Sequence, residues 1–316
     1  MMYKNAFKLV ISNFHLVWKT LLYQIFVVLI TIGLAFACSL PIINVISNAG
    51  IFKTIAGSFN EFATNFNIYK LFSDLILSVE SLFKVIAENI NSLWLYIVLF
   101  LVIIVLVRTI LRGFSNFAST GVLYNYLSSN IKVSYVANLT NNFFKNIKFQ
   151  LAYLIVELPI NLLIVFCAYM LFKWMLSLSG LILLAPIVLI ILLVLVISLK
   201  QTIFSAWLPA LITFNCSIFG ALKKGIKAVF RRFYRSYSTA ILILATLVIL
   251  NVVCALCTFG ASLLLTLPIS SLTINIFGMV VFYSSQGMRF YVDSENVITT
   301  KKMEETDAFS KLKFIV

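Results

Sequence analysis

A chain of 316 residues that is 62% apolar and only 11% charged, with a mean hydropathy of +1.07, lies far from soluble domains, which are roughly 45–50% apolar and about 25% charged. It belongs in a bilayer, and its apolar runs leave no room for a separate catalytic domain, so we read one integral membrane domain over 1–316. The net charge of +14 would suit nucleic acid, but the cations occupy short segments between apolar runs, where membrane orientation explains them, and no nucleic-acid partner is expected.

The predicted class is all-α, a polytopic membrane protein of about six transmembrane helices with amphipathic interfacial helices. Residues 3–20 alternate apolar positions (Phe7, Val10, Phe14, Trp18) with Lys4, Lys8 and Lys19, the pattern of a short helix at the inner interface. The first span is placed at 21–43, with Pro41 at its outer end. It is longer than the 7–15 residues of a signal-peptide core and is followed by further spans, so it is read as uncleaved. Over 44–91 the pattern becomes mixed, with Glu61, Asp74, Glu80 and Glu88 beside Lys53, Lys70 and Lys84. Helical spacing of Ile68, Leu71, Phe72, Leu75 and Ile76 predicts one or two amphipathic helices on the outer face, packed on the membrane or serving as a cap or partner-binding element.

The second span is placed at 92–111, with Trp94 and Tyr96 as an aromatic belt and Arg108 and Arg112 as the opposite anchor. Gly113–Lys148, free of acids, reads as two short inner interfacial helices. Spans three and four, at 149–172 and 176–199, pair through a tight turn at Lys173–Leu178. A basic amphipathic helix follows at 216–237. Its apolar stripe is Ile218, Phe219, Leu222, Ile226, Val229, Phe230, Phe233 and Tyr237, and Lys223, Lys224, Lys227, Arg231, Arg232 and Arg235 lie between them. Such a helix suits an anionic leaflet. The fifth span is placed at 239–265, an outer turn at Leu267–Pro268, the sixth span at 270–292 and a cytoplasmic tail at 293–316.

Cation counts test this threading. With both termini inside, 20 of the 24 Lys and Arg fall on inner segments and only Lys53, Lys70, Lys84 and Lys173 outside, as the positive-inside rule requires, although the long outer segment approaches the length where that rule weakens. The expected location is a cell membrane with both ends cytoplasmic, and the Lys, Asn, Ile and Phe usage hints at a bacterial source.

Few residues carry candidate chemistry. Glu157 is the only acid inside a span, Asn161 follows one turn later, and Pro159 between them weakens the backbone ladder. A carboxylate at that depth costs roughly 2.5–3.5 kcal/mol on insertion scales, so it either serves transport or pairs structurally, with Lys148 or with Arg289 on the sixth span. Asn251 and Asn275 are candidate interhelical hydrogen-bond donors. His15 is the only histidine, which excludes a multi-histidine metal site. Cys254 and Cys257 share a helix face but lack further ligands or a thiolate-stabilising neighbour. The five cysteines mostly lie in or beside apolar runs, where a disulfide framework is not expected. No phosphate loop, nucleophile elbow or HExxH pattern occurs, so no catalytic residue, cofactor or metal is assigned.

Two stretches, Thr120–Lys145 (TGVLYNYL, then VSYVANLTNNFFK) and Leu208–Phe233 (LPALITFNCSIFGALKKGIKAVFRRF), share a plan of small residue, apolar-aromatic helix and basic end. With six spans, this resembles a group of uncharacterised bacterial multi-pass proteins related to the membrane domain of glycerophosphoryl diester phosphodiesterases. The resemblance implies a six-helix membrane domain. It does not carry over an activity, because the soluble phosphodiesterase barrel is absent from these residues. The expected function is a lipid-interacting or transport-assisting membrane component that meets anionic headgroups through the basic helix. The alternative is a transporter or permease subunit using Glu157 and Asn161, with a separate ATPase docked on the same helix.

Overall fold

The computed structural model describes residues 2–177, 184–293 and 296–298. In chain order the helices are α1 (Met2–Ser12), α2 (His15–Asn48), α3 (Ile51–Asn65), α4 (Ile68–Glu88), α5 (Ile90–Leu101), a π-helical stretch (Val102–Val107), α6 (Arg108–Ser129), α7 (Tyr135–Asn141), α8 (Phe143–Ser177), α9 (Ala185–Phe204), α10 (Trp207–Phe214), α11 (Ile218–Phe230), α12 (Phe233–Cys257) and α13 (Leu263–Gln286). Two-residue strands β1 (Phe290–Tyr291) and β2 (Val297–Ile298) pair antiparallel after α13. Among the described residues six helices are long and apolar enough to cross a membrane: His15–Asn48, Ile90–Ser129, Phe143–Met175, Ala185–Phe214, Phe233–Cys257 and Leu263–Gln286.

Local chemistry sets where these helices start and stop. Asn67, Ser134 and Ser217 sit before α4, α7 and α11, and their side chains accept from the backbone N–H of Lys70, Ala137 and Gly220. Each satisfies one of the donors that a helix start leaves open. Asn130 and Asn215 close α6 and α10 in left-handed backbone, with φ of 55° and 45°, a conformation that Asn tolerates better than most residues. Gly287, at φ 78°, ends α13. There Met288 N–H reaches back to the Tyr283 carbonyl at 3.0 Å.

Several boundaries differ from those read in the sequence. The first span is longer than 21–43, and Pro41 lies inside α2. The second span does not stop at 111 but continues through α6 to Ser129, so the segment from Gly121 onward is the end of a long helix, and only α7 is a separate short one. Nothing in Gly113–Ser129 breaks a helix until the left-handed Asn130. Residues 173–177 of the turn placed at Lys173–Leu178 are helical, because α8 runs to Ser177; the fourth span, placed from 176, thus overlaps the end of α8, and residues 178–183 lie outside the described residues. The turn placed at Leu267–Pro268 lies at 258–262, where Phe259 and Gly260 adopt φ of 49° and 89°. Pro268 is inside α13, near enough its start that a single freed carbonyl, that of Leu264, is the cost. The sixth span ends at Gln286, and the basic helix 216–237 breaks at Arg231–Arg232. Of the tail, residues 294–295 and 299–316 lie outside the described residues.

Tertiary contacts divide the chain into two units. The first comprises Met1–Phe26, Leu111–Ala152 and Val194–Val316, and the second Val27–Ile110 and Tyr153–Leu193. In the first unit α13 is the core. Leu272, Ile276, Phe277, Met279, Val280, Val281 and Phe282 are 0–2% exposed, and α1, α10, α11 and α12 pack around them. The N-terminal helix is thus not a purely interfacial element: Met2, Asn5, Ala6, Leu9 and Val10 are buried, and the Tyr3 hydroxyl meets Thr246 Oγ1 at 3.1 Å.

The backbone between α9 and α10 is clasped from two sides. A Cβ on Gly278 would lie 2.5 Å from the Ser205 carbonyl oxygen, and one on Gly225 would lie 2.9 Å from Ala206 C and O. Only glycine allows that approach. Trp207, 1% exposed, fills the space beside them and donates from Nε1 to the Ile218 carbonyl at 2.9 Å.

Polar side chains link the helices of this unit. Asn275 donates to Asn116 Oδ1 at 3.3 Å, Ser271 donates to the same oxygen at 3.4 Å, and Asn251 donates to Ser270 Oγ at 3.0 Å. Both asparagines read as interhelical donors in the sequence therefore act as such. Burial pushes the Tyr135 phenol above its ordinary range, and its hydroxyl donates to Ser115 Oγ at 2.8 Å.

In the second unit α3 and α4 form a helical hairpin between the spans that precede and follow it. Ser58, Glu61 and Phe62 of α3 face Lys70, Leu71 and Asp74 of α4, and Lys70 pairs with Glu61. That hydrogen bond holds the Lys70 ammonium above its ordinary pKa. Further along α4, Phe72 meets Phe172 edge-on at 5.4 Å and Glu80 pairs with Lys173. These contacts attach the hairpin to the end of α8.

Candidate functional site

The densest cationic surface is built on α11. With 100° between successive residues, Ala221, Gly225, Ala228 and Val229 form one stripe, and these four are the buried residues of the helix. Small side chains there let α11 lie close against α10, as the Gly225 contact requires. Of the apolar stripe named in the sequence, Val229 is buried and Leu222 and Ile226 are half-buried, but the two phenylalanines of the helix do not pack. Phe219 and Phe230 are 66% and 59% exposed, and they share a strip with Lys223 and Lys227, which are also exposed. The helix therefore has two sides: small residues toward protein, and aromatic rings interleaved with cations on the side away from it.

Neighbouring elements complete the surface. Lys224 Nζ lies 4.7 Å from the centroid of the Phe214 ring, a cation–π distance. Phe214 in turn meets Phe282 of the core helix edge-on at 5.6 Å. Lys145 Nζ donates to Asn215 Oδ1 at 2.6 Å, and Arg231 donates from Nη1 to Gln286 Oε1 at 3.2 Å. Past the break, Arg235 is exposed on α12. Phe230, Phe233 and Tyr237 stack in a column with near-parallel planes, 5.4 and 5.9 Å apart. Lys223, Lys224, Lys227 and Arg231 thus belong to one helix and its cap, whereas Arg232 and Arg235 stand on the turn and the next helix.

Phe214, Asn215 and Gln286 were not legible as part of this surface. Only the fold brings residue 286 to residue 231, and the one local signal was Asn215, which ends α10 three residues before α11 begins.

The two units differ in charge. Residues 1–26, 111–152 and 194–292 hold three, four and eight Lys and Arg, fifteen in all, and not one Asp or Glu. The second unit holds five of each sign, namely Lys53, Lys70, Lys84, Arg108 and Lys173 against Glu61, Asp74, Glu80, Glu88 and Glu157. The first unit's own acids, Asp293, Glu295, Glu304, Glu305 and Asp307, all follow Val292, so none is interspersed among these fifteen cations in the chain.

The intramembrane candidates fall on different units. Glu157, half-buried, and Asn161, exposed, lie one turn apart on α8 in the second unit. Arg289 lies beyond α13 in the first. None of the three is without a partner. Among the described residues no group of three His, Cys, Asp or Glu side chains could hold a metal ion.

Six long apolar helices joined by short amphipathic ones define the class: a multi-pass membrane protein. No family model matches the chain, and no curated protein or solved structure is similar to it.

Proposed function

We propose that this chain is a non-enzymatic membrane component whose first unit gathers anionic lipid headgroups on the surface of α11 and its neighbours. The observation that carries this reading is the absence of any carboxylate among the fifteen cations of that unit through Val292. Charge of one sign at a membrane surface attracts anionic lipid by about 1 kcal/mol per Lys or Arg. The exposed Phe219 and Phe230 beside Lys223 and Lys227 supply the apolar contact that such an interfacial helix needs. The same imbalance favours a cytoplasmic location for these segments, hence both termini inside a cell membrane, in a bacterial plasma membrane by the residue usage and the resemblance noted above. Transport through Glu157 and Asn161, with an ATPase docked on α11, has less support, because Asn161 is exposed rather than enclosed.

The test compares lipid retained by the detergent-purified protein, measured by native mass spectrometry, for wild type and for a variant with Lys223, Lys224, Lys227, Arg231, Arg232 and Arg235 all changed to Gln. Wild type should retain phosphatidylglycerol in preference to phosphatidylcholine, with the preference falling as salt rises, and the variant should lose about tenfold or more of it. Equal retention by the two proteins would remove the reading.

A further inference from the structure

The α3–α4 hairpin carries an apolar surface that neither its own packing nor the basic site uses. Phe52 and Phe59 lie two turns apart on one side of α3 and are 48 and 51% exposed, and Phe66, 74% exposed, follows on the left-handed residue that ends the helix, where its ring meets Phe62 edge-on at 5.9 Å. About 100° further round the helix stand Lys53 and Asn60, also exposed. The face toward α4 is a third one, holding Ser58 and Phe62. Phe52, Phe59 and the greater part of Phe66 are therefore left over after the hairpin has closed.

Its surroundings identify what covers it. The hairpin is held at the ends of three candidate spans. Two residues separate the end of α2 at Asn48 from the start of α3 at Ile51, and a single residue, Asn89, separates α4 from α5. At roughly 3.3–3.6 Å per residue, neither end can move more than about 10 Å from its span. The middle of α4 is held to the end of α8 by Phe72 on Phe172 and Glu80 on Lys173. Three attachments at span ends define a surface, and that surface is the bilayer boundary. The span ends next to the hairpin are apolar and exposed as well, at Leu40 and Ile43 of α2 and Ile90 and Trp94 of α5.

Charge excludes an electrostatic mode of attachment. The segment holds three cations, Lys53, Lys70 and Lys84, and four acids, Glu61, Asp74, Glu80 and Glu88, and Lys173 balances the remaining acid through its pair with Glu80. A neutral element offers headgroups nothing to steer by, so its attraction to lipid is the burial of aromatic rings.

We propose that the α3–α4 hairpin lies in the leaflet at this end of the spans, with Phe52, Phe59 and Phe66 inserted at the boundary between headgroups and acyl chains. The hairpin attaches by apolar burial alone, independently of the anionic-lipid reading of α11, and needs no anionic lipid.

The experiment places an environment-sensitive fluorophore on single cysteines made by Phe59→Cys, Phe66→Cys and Asn60→Cys in a chain whose five native cysteines are changed to serine. Each is reconstituted in phosphatidylcholine vesicles. At positions 59 and 66 the emission should shift to the blue and be quenched by lipids carrying a spin label high on the acyl chain. Iodide should quench it at least about threefold less than at position 60, equally at low and high salt. Equal iodide quenching at 59 and 60 overturns the proposal. So does protection at 59 without quenching by the spin-labelled lipid, since the covering body would then be a second copy or another protein. Phe52→Cys repeats the comparison should Phe59→Cys not reconstitute.

Discussion

Two glycines matter here for opposite reasons. Gly278 has no room for a side chain, because the nearest atom to an added Cβ is a backbone oxygen at 2.5 Å, which no rotamer change can move aside. Gly33, inside α2, has nothing within 4 Å of such an atom. Gly278→Ala should therefore cost about 1–3 kcal/mol, the usual range for overpacking a closed site. Gly33→Ala should be neutral or stabilising by up to about 1 kcal/mol, because alanine is the better helix former. Thermal unfolding of the two variants in detergent distinguishes them, and equal midpoints would mean that the α9–α10 clasp is looser than its geometry. Nothing in the sequence separates these glycines, since both lie in apolar stretches. The difference is the carbonyl of Ser205, seventy-three residues away along the chain.

At the level of the element, α11 shows why an apolar periodicity locates a helix without choosing its buried side. Phenylalanine outranks alanine on any hydrophobicity scale, so the stripe read from the sequence ran through Phe219 and Phe230. In the fold, the approach of α11 to Ala206 selects the small residues, because helix axes can come close only where side chains are short. The two faces should answer differently to substitution. Ala228→Leu, on the fully buried face, should lower the unfolding temperature by several degrees, since about 1–3 kcal/mol of overpacking is large against ordinary stabilities. The pair Phe219→Ser and Phe230→Ser should leave that temperature within about a degree and reduce retention of phosphatidylglycerol. An unfolding temperature that dropped more for the phenylalanine pair than for Ala228→Leu would return the aromatic stripe to the core. The split of the basic segment at Arg231–Arg232 is likewise a tertiary outcome. The helical period continues through it to Tyr237, and the stacking of Phe230, Phe233 and Tyr237 persists across the break.

For the molecule as a whole, apolar surface and charge decide the topology. Five of the six candidate spans bury no more than 17% of their most apolar window against protein, whereas α13 buries 61%. The surface left over requires lipid, since water would charge about 25 cal/mol for each Å² of it. The cations then follow the division between units rather than the order of the chain, and this predicts orientation. In a background without the native cysteines, Lys227→Cys should react with a membrane-impermeant maleimide only after cells are permeabilised. Labelling of intact cells would invert the threading.

The number of membrane-length helices, their helical class and the amphipathic helical segment between the first two were all determined by the sequence itself. The reason is that transfer of a continuous apolar run into lipid depends on length and composition alone, and both are local. The exact ends of those helices were decided by caps and left-handed residues such as Asn130, Asn215 and Gly260. The buried side of α11, the central place of α13 and the meeting of Arg231 with Gln286 were decided only by tertiary structure. These depend on which backbone approaches which, and close approach between distant segments leaves no period in the chain.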